Sequence, residues 1–92
     1  MNAIDIEDII AKGENIHTEF KSSFNNEAIE SLVAFANTCG GNVYIGISDS
    51  GEVKGCNLGK ETIVNWINEI KQKTSPQLVP DAEILEWEEG CR

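Results

Sequence analysis

Between residues 16 and 48 the hydrophobic period changes twice, and no other feature of the chain restricts its fold as strongly. From Ile16 to Lys21 the residues alternate, with Ile16, Thr18 and Phe20 on one side and His17, Glu19 and Lys21 on the other. That period of two is the signature of a strand with one polar face. After Asn25 or Asn26, either of which can cap a helix, the apolar positions 28, 29, 32, 33, 35 and 36 recur with helical spacing to about Thr38. Glu27 and Glu30 lie near the positive end of that helix, and Gly40-Gly41 stops it. The next run, Val43, Tyr44, Ile45 and Ile47, is short, apolar and rich in β-branched residues, which predicts a central strand over 42–48 buried on both faces.

The flanks extend this pattern. Asp5 can cap a short helix over 6–12, with Ile6, Ile9 and Ile10 on one stripe and Gly13 as its left-handed stop. The turn Asp49-Ser50-Gly51-Glu52 is expected to return the chain through Val53–Cys56 as a hairpin partner. Ile63, Val64, Trp66, Ile67 and Ile70 mark a second long helix that ends with Lys71 and Lys73 before Ser75-Pro76. Ala82 to Trp87 is expected to add another strand. The predicted fold is α+β: a two-layer sandwich with a mixed sheet in β-α-β-β-α-β order and a short N-terminal helix. Trp66 fits the core better than a base-stacking platform. Residues 1–92 make one domain. It lacks an obvious closing element, so a C-terminally truncated fragment of a longer protein is expected.

Charge and cysteine usage narrow the function. Seven basic against sixteen acidic residues leave a net charge of −9, which opposes nonspecific attraction to nucleic acid or an anionic membrane. The charge is uneven. Residues 1–39 carry two Lys against seven acids, 80–92 one Arg against five, and 40–79 four Lys against four. Any phosphate-facing surface is therefore expected from the neutral middle, through Lys54, Lys60, Lys71 and Lys73. Cys39, Cys56 and Cys91 contain no C-x-x-C pair and suggest reduced thiols in a cytoplasm. The longest apolar run, 32–36, falls far short of the roughly 20 residues that span a bilayer, so no membrane partner is expected.

Two common chemistries fail on spacing. Gly55 to Glu61 superficially resembles a phosphate-binding loop, but it has three residues between its glycines rather than four, and Glu61 after the lysine where Ser or Thr would reach magnesium. A Ser or Cys nucleophile needs a histidine base, and the single His17 sits on a polar strand face with no G-x-S-x-G elbow around any serine. Carboxylates are the better candidates. Glu14, Glu19 and Asp49, with Lys21 beside them, could hold a divalent metal on oxygen ligands and steady a phosphodiester transition state. Spacing alone leaves Glu14 and Glu19 as solvated surface charges, since Glu-x-Lys occurs three times in the chain.

The run Glu14-Asn15-Ile16-His17-Thr18-Glu19-Phe20-Lys21, then Val33-Ala34-Phe35-Ala36-Asn37-Thr38-Cys39-Gly40-Gly41, then Val43-Tyr44-Ile45-Gly46-Ile47 and Asp49-Ser50-Gly51, resembles the Schlafen AlbA-like domain. The resemblance is close over about 13–56 and looser beyond. It implies a nucleic-acid-binding module, DNA rather than RNA, that needs no cofactor to bind. Such modules stand at the N-terminus of transcriptional regulators or of ATP-dependent DNA helicase (RecG-like) relatives. It also implies an alternative, an endoribonuclease dependent on magnesium or manganese. There Glu14, Glu19 and Asp49 would be the metal-binding triad and Lys21 its neighbour at the phosphate. That nuclease core pairs two lobes, so a single lobe implies a homodimer, or an assembly module that touches no nucleic acid itself. In the Phe35–Gly41 segment, packing, helix termination and chain reversal account for the residues without a ligand.

Overall fold

The computed structural model describes residues 6–84. Its elements run α1 (Ile6–Lys12), β1 (Thr18–Lys21), α2 (Asn26–Ala36), β2 (Asn42–Ile45) and α3 (Thr62–Lys73). β1 and β2 pair in parallel with Thr18 opposite Asn42 and Lys21 opposite Ile45, and α2 is the crossover between them. The chain is therefore a small α+β domain built on one βαβ unit.

α2 owes its limits to local chemistry. Asn25, in extended backbone, accepts from the amides of Glu27 and Ala28, which satisfies two of the donors left open at a helix start. At the other end the Thr38 hydroxyl donates to the carbonyls of Ala34 and Phe35, and Gly40 takes a φ of +90° as its amide closes on Phe35 O. Gly41 must lack a side chain, because a Cβ there would lie 2.8 Å from the Phe35 ring and from the His17 carbonyl. The helix thus turns straight into β2. Phe20, Ala28, Ile29, Ile47 and Ile70 form the buried core, with Phe20 only 1% exposed and edge-on to Tyr44 at 6.2 Å between centroids.

Several expectations need correcting. β1 begins at Thr18 rather than Ile16, because Asn15 and Thr18 exchange backbone hydrogen bonds of 3.0 and 3.2 Å across a tight reversal. Ile16, assigned by alternation to the buried side, sits on that reversal and is 80% exposed. β2 ends at Ile45 because Gly46 adopts a φ of +101°. The return at 53–56 makes no strand. It leaves one antiparallel bridge, Ile47 to Val53, with the amides of Lys54 and Gly55 both donating to Gly46 O. Among the described residues the sheet accordingly has two parallel strands, in α-β-α-β-α order, in place of the mixed sheet of the predicted β-α-β-β-α-β sandwich. With a single neighbouring strand, β2 is half-buried rather than covered on both faces. Residues 82–84 of the expected last strand are irregular and exposed, and 85–87, like the Asp5 cap, lie outside the described residues.

α3 covers the span predicted for the second helix but joins the rest through few contacts. Trp66 stacks on Phe24 with centroids 4.8 Å apart and planes 14° apart, Ile70 enters the core, and Lys73 donates to Asn26 Oδ1 at 2.7 Å. Trp66 is half-buried, so its ring holds α3 against the loop before α2.

Candidate functional site

Because side chains alternate along a strand, Glu19 and Lys21 share the polar face of β1 while Phe20 points into the core. Lys21 Nζ lies 3.5 Å from a Glu19 oxygen and 3.5 Å from Glu27 Oε1 on the first turn of α2. Desolvation of Lys21 works to lower its pKa, but the Coulombic pull of Glu19 and the bonds to Glu27 outweigh it, and the net shift is upward. Glu27 escaped the sequence argument as a site residue because its charge suited the helix dipole; its pairing with Lys21 depends on how α2 leaves β1.

Glu14 takes a different course. Its Oε2 accepts from the Phe20 backbone amide at 2.9 Å. In the parallel pair, β1 meets β2 through its odd residues, as the bonds from the Asn42 amide to His17 O and from the Gly46 amide to Lys21 O show. The Phe20 amide therefore points to the outer edge of β1, and Glu14 lies along that edge rather than over the Glu19 face. Asp49 is exposed on a turn held by Ser48, whose amide donates to Glu52 O at 2.9 Å and whose Oγ accepts from the Glu52 amide at 3.1 Å.

Among the described residues no three His, Cys, Asp or Glu side chains are grouped to hold a metal ion. Glu14, Glu19 and Asp49 are accordingly not drawn together into one cluster among the described residues. Lys21, the expected phosphate neighbour, is held between two carboxylates.

The four lysines of the neutral middle differ in availability. Lys54, exposed on the return loop, pairs with Glu52 at 3.5 Å. Lys73 is engaged by Glu69 at 2.8 Å and by Asn26. Lys60 and Lys71 make no hydrogen bond or ion pair among the described residues, and they flank α3 at opposite ends, roughly 16 Å apart at 1.5 Å per residue. Of this basic set, Lys71 and Lys73 lie in the last turn of α3, Lys60 just before its start and Lys54 on the return loop. Lys71 and Lys73, two positions apart, point about 200° away from each other around the helix.

His17 and the Phe35–Gly41 segment serve the fold. His17 is exposed and its Nδ1 donates to Gly40 O at 3.0 Å, tying the entry of β1 to the reversal before β2. Cys39 and Cys56 are free thiols, and burial pushes the Cys56 pKa up, away from the reactive thiolate. No helix among the described residues is long and apolar enough to cross a membrane.

Against known proteins, the sequence model of the family described as Schlafen, AlbA_2 matches residues 14–90. No curated protein and no solved structure matches the chain.

Proposed function

The chain belongs to the Schlafen AlbA_2 family, and from that premise we propose that it is a nucleic-acid-binding module, DNA rather than RNA, of a transcriptional regulator or a DNA helicase-related protein. The family match over 14–90 is the observation that carries this function. Two features support a particular surface. Lys60 and Lys71 are unengaged among the described residues, and they belong to the stretch of the chain whose charges cancel. The acidic ends oppose any other approach of a phosphate backbone.

The surface sets the strength of binding. Two neutralised phosphates give a log-log salt slope near −1.8 on duplex DNA, and recruitment of Lys54 and Lys73 as well would bring it to about −3.6. Fluorescence anisotropy over a salt series is expected to give a slope between these values. A quadruple variant with Lys54, Lys60, Lys71 and Lys73 changed to Glu should lose binding. Equal binding by that variant would remove the surface assignment.

A tRNA cleavage assay tests the rival chemistry. Manganese-dependent cleavage of tRNA abolished by Glu19→Gln would replace the binding module with a ribonuclease. Pairing of two lobes about a two-fold axis is part of the proposal. Light scattering that shows a 10.1 kDa monomer at high micromolar concentration would remove that part alone.

A further inference from the structure

α3 covers itself on one side only. Ile63, Trp66, Ile67 and Ile70 make a half-buried to buried stripe, while Asn65, Asn68 and Gln72 are exposed. At 3.6 residues per turn these three amides fall within about 60° of one another, on the side of the helix facing away from that stripe. None of their side chains makes a hydrogen bond among the described residues. In a chain of net charge −9, this outer arc of α3 carries no charged residue within the helix. Of the acids that border it, Glu69 is occupied by Lys73 at 2.8 Å and Glu61 stands before the first turn. Lys60 and Lys71, both unengaged, stand near its two ends.

Uncharged amides with a lysine at either end suit a ligand that is negative at its periphery and offers paired donors and acceptors inside. Duplex DNA does both. Its major groove, about 12 Å wide, admits an α-helix, and there an Asn or Gln side chain matches adenine N6 and N7 with two hydrogen bonds. Asn65 to Gln72 spans about 10.5 Å along the axis, or about three base-pair steps. Val64, 56% exposed one turn before Asn68, offers an apolar contact to the thymine methyl of the same pairs. The deep, narrow major groove of A-form RNA cannot be read by side chains, so insertion of this helix goes with DNA. We infer that α3 enters the major groove of duplex DNA and that Asn65, Asn68 and Gln72 read adenine there while Lys60 and Lys71 hold phosphates. The inference rests on the nucleic-acid-binding reading above and adds to it the element, the groove and the base.

The test uses the full chain and three duplexes of equal length: one with a centre of A·T pairs, one with a centre of G·C pairs, and the first with its adenines replaced by 7-deazaadenine. That replacement removes the N7 acceptor from the major groove and leaves the phosphates and the minor groove as they are. Fluorescence anisotropy is expected to show the A·T duplex bound at least about tenfold more tightly than the G·C duplex, with the preference lost on 7-deazaadenine. A variant carrying Asn65→Ala, Asn68→Ala and Gln72→Ala should bind all three duplexes alike and keep the parent's salt slope, because its lysines are untouched. Equal binding of the A·T and G·C duplexes by the parent overturns the inference and leaves the binding module standing, as does an A·T preference that survives 7-deazaadenine or the triple substitution. Binding of none of the duplexes overturns the inference together with the reading on which it rests. If the triple variant does not fold, the 7-deazaadenine comparison on the parent decides.

Discussion

The βαβ unit over 18–45 and the segment that follows it are held by different means. In the first, Phe20, Ala28 and Ile29 are buried, Asn25 caps the crossover helix, and the bonds of Thr38 and Gly40 back to Ala34 O and Phe35 O end it before β2. In the second, α3 follows Glu61, whose side chain makes no cap, and Val64, Val79 and Ile84 are 56%, 63% and 62% exposed. Its anchors are Ile70, the Trp66–Phe24 stack and the Lys73–Asn26 bond. A unit satisfied by residues close in sequence should hold together as the distant anchors release. Binding through Lys60 and Lys71 would accordingly use the less firmly held part of the molecule.

The largest effect is expected from Phe20→Ala, which empties the centre of the first unit and should cost about 3–5 kcal/mol. Urea titration should show both regions unfolding together. Survival of the βαβ amides in that variant would place the main core elsewhere. Trp66→Ala comes next. The ring is half-buried, so the cost should fall below that range, at about 2 kcal/mol. Amide exchange should show α3 losing protection while Phe20, Ala28 and Ile29 keep theirs; equal loss in both regions would erase the contrast.

Removing a cap sharpens the comparison from the other side. Asn25→Ala should cost about 1 kcal/mol and raise exchange at the Glu27 and Ala28 amides. Glu61→Ala should change stability by less than about 0.5 kcal/mol, since no side-chain bond is lost. Circular dichroism melts of the two variants check this directly.

The smallest effect is the pH dependence of Lys21. Its folded pKa is raised above 10.5, so its contribution is complete below the unfolded value and is lost as pH rises through the folded one. Because Glu27 is largely exposed, the loss should be at most a few tenths of a kcal/mol. Melts between pH 9 and 12 should show a slightly shallower decline for Lys21→Met than for the parent. An identical decline would mean that the Glu19–Lys21–Glu27 cluster adds nothing to stability.

What could be derived without coordinates was whatever depends on neighbours within a helical turn or so. The period of 3.6, the Asn cap, the glycines at 40 and 41 and the basic last turn place α2 and α3 within a few residues of their limits, since each signal is met by backbone groups three or four residues away. Even Glu19 and Lys21 follow, as alternation puts them on one face. The family motif, too, is legible as residue types at fixed spacing.

Tertiary structure decided the rest, because the deciding partner stood elsewhere in the chain. Alternation could not show that Ile16 belongs to a reversal, since that depends on Asn15 bonding Thr18 instead of continuing the strand. The end of β2 depends on Gly46 taking a positive φ where the chain folds back against Cys56. Glu14 and Glu19, equivalent as carboxylates in a motif, part company because one bonds the outer edge of β1 and the other faces Lys21. Lys73 meets Asn26 across 47 residues, a distance at which side-chain chemistry specifies a charge but only the packing of α3 chooses its partner.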